Sequence, residues 1–125
     1  MILDTNGLSA LAEGEAALEP ILRKAAQIAI PVIVLGEFRY GISQSRHRLH
    51  YERWLAEYLP KFRILDVDEL TTISYSAVRT ELKRAGTPIP SDDVWIAALC
   101  RQHSLPLISR DSHFDAVSGI TRLAW

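Results

Sequence analysis

Cysteine is nearly absent from this chain: Cys100 is the only one in 125 residues, which excludes an internal disulfide framework. No apolar run approaches the length of a membrane span and no secretory signal opens the chain, so a soluble, cytoplasmic protein is expected, with no membrane partner. A basic excess is also missing. Fourteen Lys and Arg stand against 15 Asp and Glu, a net charge of -1, which does not announce a nucleic-acid binder of the strongly basic kind. Internal repeats and low-complexity tracts are absent. What is present is enough chain for one domain over residues 1–125, able to bury a core without a stapling metal. Cys100 follows Ile96, Ala97, Ala98 and Leu99, the setting of a core thiol rather than a nucleophile.

Charge is unevenly spread. Residues 1–38 carry five acids and two bases, whereas residues 39–84 carry nine bases and six acids. Basic groups around an acidic centre would produce that split, and so would ordinary surface scatter.

The chain opens Met1-Ile2-Leu3-Asp4-Thr5-Asn6. Ile2 and Leu3 read as the end of a buried strand, and Asp4, Thr5 and Asn6 follow where that strand leaves its sheet. A carboxylate there sits where open α/β sheets bind ligands. Helix capping by Asp4 or Asn6, for a turn beginning near Leu8, is the competing reading.

Alternating elements follow. Apolar spacing at Leu18, Ile21, Leu22 and Ala25 predicts helix within 15–26, with Pro20 near its start. Residues 28–33 read as strand, with Pro31 calling for an edge position or an early end. Residues 34–40 are ambiguous by periodicity, and Gly41 is a candidate stop. A helix over 46–59 has Leu49, Trp54, Leu55, Tyr58 and Leu59 on its apolar side, ended by Pro60. Residues 62–67 read as strand. Asp68 caps a long helix over 69–84 whose inner positions are expected at Leu70, Ile73, Ala77, Val78 and Leu82. Ser91 or Asp92 is expected to cap a helix toward His103, before strand 105–109, a short helix 112–117 and a last strand 120–123. Alternation of this kind predicts a three-layer α/β/α sandwich around a mostly parallel sheet. Right-handed crossovers would put Asp4 and Ser109 on one rim.

Glu37, Asp93 and Asp111 each fall near a strand end or helix start. Four carboxylates in one pocket repel one another, and a divalent cation removes that conflict. Mg²⁺ or Mn²⁺, bound by oxygen ligands, retains waters and leaves room for a phosphate oxygen. Two ions about 3.5 to 4 Å apart would stabilise both entering and leaving oxygens in phosphodiester cleavage, and one ion would also suffice. For each acid taken alone, capping or surface solvation explains it equally well.

Four stretches, in this order and spacing, resemble the PIN-domain ribonucleases, and among them the toxin component of VapBC toxin–antitoxin systems: Leu3-Asp4-Thr5-Asn6, 35–41 (Leu-Gly-Glu-Phe-Arg-Tyr-Gly), 89–98 around Asp92 and Asp93, and 107–114 around Ser109 and Asp111. The resemblance implies a PIN-like fold and metal-dependent endoribonuclease activity on RNA. It matches Asp4, Glu37 and Asp93 to the family's principal acids, Asp111 to its more variable fourth acid, and Thr5 and Ser109 to supporting hydroxyls. Asp93, three residues before Ile96, is selected over Asp92, which is left as a cap or outer group, and Asn6 keeps the capping reading. Gly7 stands where the family commonly has an apolar residue, which would loosen the first turn. A homodimer, a cognate antitoxin covering the acidic groove, a larger heteromeric complex and DNA contact through the antitoxin are further implications.

Arg39, Arg46, Arg48 and Arg110 are the candidates for phosphate contacts, with solvent exposure as the alternative for each. Tyr40 and Trp95 lie among apolar residues, where packing competes with base stacking. Two other functions fit parts of the pattern. A receiver-like phosphoacceptor domain shares the fold class and acids, but Asp4 stands alone at the first strand and no lysine lies near Leu107. A metal-binding or antitoxin-binding module without turnover would keep the same acids.

Overall fold

A computed structural model describes all 125 residues. Five parallel strands form the sheet: β1 (Ile2–Leu3), β2 (Ala29–Pro31), β3 (Arg63–Leu65), β4 (Leu107–Ile108) and β5 (Arg122–Leu123), in the order β3-β2-β1-β4-β5. The sheet is thus wholly parallel, and sheets of this kind are covered on both faces. On one side α1 (Thr5–Ala12) packs with α3 (Val32–Ser43) and α4 (Arg48–Tyr58). On the other, α5 (Glu69–Ala85) lies along α6 (Ser91–His103). The order turns back between β1 and β4, which makes their carboxyl ends the switch point where such folds hold ligands.

Ile2, Leu3, Ile30, Leu107 and Ile108 are fully buried, as strands covered on two faces require. Ile96, Ala97, Leu99 and Cys100 of α6 join the same core. Burial pushes the Cys100 thiol up to about 12, so it stays protonated and inert. No helix is long and apolar enough to cross a membrane.

Several expectations change. The proposed helix over 15–26 divides into a 3-10 turn, Ala16–Leu18, and α2 (Glu19–Leu22) with Pro20 in its first turn. β2 is not an edge strand; Pro31 is tolerated because the strand ends there and the chain turns directly into α3. The ambiguous 34–40 stretch is helical, and α3 runs through Gly41 to Ser43 because Gly41 adopts no left-handed turn.

On α5 Val78 and Leu82 are inner positions as expected, but Thr71 and Tyr75 complete the stripe in place of Leu70, Ile73 and Ala77, which are exposed. Thr71 is buried despite its hydroxyl because Asp68 and Gln102 satisfy it. Leu49 on α4 and Tyr40 on α3 are likewise exposed rather than packed. Trp95 does pack, stacked on Tyr75 at 3.8 Å between ring centres.

Helix starts differ too. Asp4, not Asn6, caps α1: its backbone is extended and its side chain accepts from the Gly7 N–H at 2.8 Å. Asn6 lies inside the helix, exposed. Neither Ser91 nor Asp92 caps α6, which begins at Ser91 directly after Pro90, with no capping side chain. Asp92 and Asp93 instead occupy its first turn, where the helix dipole favours negative charge.

Candidate metal centre at the carboxyl end of the sheet

The register sets the site. Ile2 pairs with Leu107 and Leu3 with Ile108, so the next residues, Asp4 and Ser109, leave the sheet side by side. Ser109 Oγ donates to Asp4 Oδ2, while Gly7 N–H donates to Asp4 Oδ1. Asp4 is therefore both a helix cap and a member of the acidic rim, and each of its oxygens keeps a further lone pair. It is only 3% exposed. Burial holds its carboxyl above the usual carboxylate range, opposed by the Ser109 and Gly7 hydrogen bonds and reinforced by nearby Asp111.

Asp111 follows two residues after Ser109, and its N–H donates back to Ser109 Oγ at 3.0 Å. From the opposite side, the first turn of α6 brings in Asp93. A 3-10 turn, Ser112–Ala116, brings in His113. Donor atoms of Asp93, Asp111 and His113 all lie within 4.8 Å of one another. Burial raises the Asp93 carboxyl; His113 opposes that shift, and Asp111 and Asp4 add to it.

Glu37 reaches the rim from α3, where Thr5 Oγ1 donates to its Oε2 at 2.7 Å. Its carboxyl is also raised, chiefly by burial, against the Thr5 hydrogen bond and with the Asp92 and Asp93 carboxylates close by. Asp92 thus stands beside Glu37, outside the Asp93-Asp111-His113 group. A groove of about 290 Å³ adjoins the acids at Glu37, bordered by Thr5, Ser9, Glu13, Ser45 and Tyr51.

No lysine or arginine pairs with Asp4, Glu37, Asp93 or Asp111, although five arginine–carboxylate pairs form elsewhere; the one ionic contact to these acids is that of His113 to Asp93. Three carboxylates with raised pKa, Asp4 buried, Asp93 half-buried and Glu37 at the exposed edge, with one imidazole as neighbour fit a divalent cation. The donor set is carboxylate oxygen plus imidazole nitrogen.

Residues 1–120 match the PIN-domain family. This chain belongs to the PIN-domain family. The PIN-domain chain is 32% identical to "Ribonuclease VapC2" of Rickettsia felis over 106 residues, 84% of this chain and 79% of that one. Its fold is similar to the crystal structure of VapBC2 from Rickettsia felis bound to a promoter DNA fragment, with a TM-score of 0.86 at 26% identity, covering 99% of this chain and 97% of that chain. It is similar also to DNA-bound VapBC from Salmonella typhimurium, with a TM-score of 0.87 at 25% identity, covering 99% and 96%.

Within this PIN domain the sequence-selected arginines are not gathered at the acids. Arg39 borders a separate groove with Glu52, Leu55 and Leu59. Arg48 pairs with Glu52 at 3.5 Å along α4, and Arg46 is exposed just before that helix. Arg110 stands nearest the acids in sequence, but its guanidinium lies over the Trp125 ring at 4.8 Å and 3.7 Å from Glu15.

Two contributors escaped the sequence reading. His113 enters the acidic group, and its spacing two residues after Asp111 in a tight turn was the available signal. Arg122, on β5, donates to the Ser109 carbonyl at 3.1 Å while holding Asp115, and so braces the strand end carrying Ser109. Nothing local in the sequence marks that role, because it depends on β5 pairing with β4.

Proposed function

We propose that this PIN-domain chain, as a single domain over residues 1–125, is the ribonuclease toxin of a type II toxin–antitoxin pair, hydrolysing RNA phosphodiester bonds with Mg²⁺ or Mn²⁺, one or two ions per site. The observation that carries this reading is the convergence of Asp4, Glu37, Asp93 and Asp111 at the switch point of the sheet with no lysine or arginine ion-paired to any of them. Asp93 and Asp111 would hold the ion directly, with Asp4 and Glu37 acting directly or through water. When bound, the ion supplies charge against the phosphate and lowers the pKa of a water.

The remaining work falls to the chain's own residues. Ser109 fixes the Asp4 carboxylate and Thr5 orients Glu37, so both acids are preorganised before substrate arrives. The groove beside Glu37 gives a flanking nucleotide room against Tyr51. Arg110, at the rim beside Asp111, is the arginine best placed to swing onto phosphate, with Arg46 beyond the groove and Arg39 and Arg48 as more distant contributors.

The relatives solved as VapBC complexes support a cognate antitoxin as partner, which would cover the acidic groove. Promoter DNA in those complexes supports DNA contact by the toxin–antitoxin assembly, with the antitoxin as the reader. A toxin homodimer and a cytoplasmic location complete the reading.

Incubation of the purified protein with single-stranded RNA, hairpin RNA and DNA of the same sequence, in Mg²⁺ or Mn²⁺, tests the reaction class. Endonucleolytic cuts in RNA alone are expected. Metal binding without cleavage of any RNA would favour the module without turnover.

A further inference from the structure

His113 Nε2 is a buried nitrogen that makes no hydrogen bond, although Asp93 Oδ2 lies only 2.9 Å away. A histidine that merely packed in the rim would turn its N–H onto that carboxylate. The spacing suits another purpose. Neighbouring ligands on an octahedral ion at about 2.1 Å stand about 3 Å apart, and opposite ligands about 4.2 Å. The 2.9 Å contact matches the separation of two neighbours on one ion, and the 4.8 Å span of the three donors closes with a small side-chain movement. The ring is held for this: it packs at 4.7 Å against Phe114, which is fully buried.

We propose that His113 Nε2 is a direct ligand of the catalytic metal, completing a nitrogen-and-two-carboxylate set with Asp93 and Asp111, and that this nitrogen makes the site prefer Mn²⁺, or another first-row transition ion, to Mg²⁺. The proposal rests on the reading of the rim as a divalent-metal site. Its chemistry is general. Mg²⁺ favours oxygen and keeps its waters, whereas imidazole is a softer donor that suits transition ions. An all-carboxylate rim would leave that choice to supply, and His113 biases it.

Pulsed electron paramagnetic resonance on the Mn²⁺-loaded protein reads ligation without reference to activity. Wild type is expected to show nitrogen coupling to the ion, lost in His113→Gln. A variant with His47, His50 and His103 changed to Gln should keep it, which decides the matter even where substitution at His113 perturbs folding. In calorimetric titrations His113→Gln should weaken Mn²⁺ binding about tenfold or more and leave Mg²⁺ binding within about twofold. Mn²⁺ bound without nitrogen coupling, in a manner abolished by Asp93→Asn, overturns His113 ligation and leaves the metal site standing. No Mn²⁺ or Mg²⁺ binding by wild type overturns both.

Discussion

Ser109 Oγ donates to Asp4 Oδ2 across 105 residues of sequence, and the same oxygen accepts from the Asp111 N–H at 3.0 Å. One buried hydroxyl thus sets the position of two acids contributed by different strands. Its removal leaves Asp4 Oδ2 short of a donor in a dry environment. Ser109→Ala should cost about 1–3 kcal/mol in denaturant unfolding and lower RNA cleavage roughly 10–100-fold. Ser109→Thr, which keeps the hydroxyl, should retain most of the activity. Wild-type cleavage by Ser109→Ala would show that the hydroxyl is only a packing group.

Gly7 does not loosen the first turn. It is buried, and a Cβ there would stand 3.0 Å from Leu3 Cδ2 and 3.2 Å from both Asp4 Oδ1 and the Ile108 carbonyl. Its backbone N–H is also the donor to Asp4 Oδ1. Gly7→Ala should therefore lower stability by about 1–3 kcal/mol and reduce cleavage by displacing Asp4, despite alanine's better helix propensity. A thermal melt unchanged or raised by this substitution would contradict that packing.

Burial holds the Asp93 carboxyl above its ordinary value, with His113 opposing and Asp111 and Asp4 reinforcing the shift. A raised folded pKa means that the group's contribution to stability is present below its unfolded pKa and is lost as pH rises through the folded value. In EDTA at pH 7, Asp93→Asn should therefore melt roughly 2–5 °C above wild type, and the gap should close as pH falls through the carboxylate range. Saturating Mn²⁺ should reverse the order, since only wild type retains full binding; at a hundred times the dissociation constant the ion adds about 2.7 kcal/mol. Differential scanning fluorimetry across pH, with and without Mn²⁺, measures both effects.

The layered fold was readable in the sequence because strands buried on both faces are continuous apolar runs, as at Ile2–Leu3 and Leu107–Ile108, and because helices alternate with them. Asp4, Glu37, Asp93 and Asp111 were visible as acids at element ends, and the structure brings them to one rim. Facing was harder. Thr71 lies in the inner stripe of α5 and Leu70 and Ile73 lie outside it, because a threonine satisfied by Asp68 and Gln102 is buried more cheaply than its polarity suggests. Chain proximity to the acids does not locate the arginines, because guanidinium placement is set by distant partners such as Trp125 and Glu15. His113 is not legible in the sequence because an imidazole beside a phenylalanine resembles ordinary packing until the turn at Ser112–Ala116 folds it toward Asp93.

Cleavage of one RNA by wild type and by Asp93→Asn, each in Mn²⁺ and in EDTA, tests the central claim most directly. Wild type in Mn²⁺ should cut, and EDTA should abolish the cut. Asp93→Asn, folded by circular dichroism, should be slower by about 100-fold or more in Mn²⁺, since it loses a carboxylate ligand at the centre of the acidic group. Equal cleavage by the two proteins, or cleavage that persists in EDTA, would contradict a metal-dependent ribonuclease built on this rim.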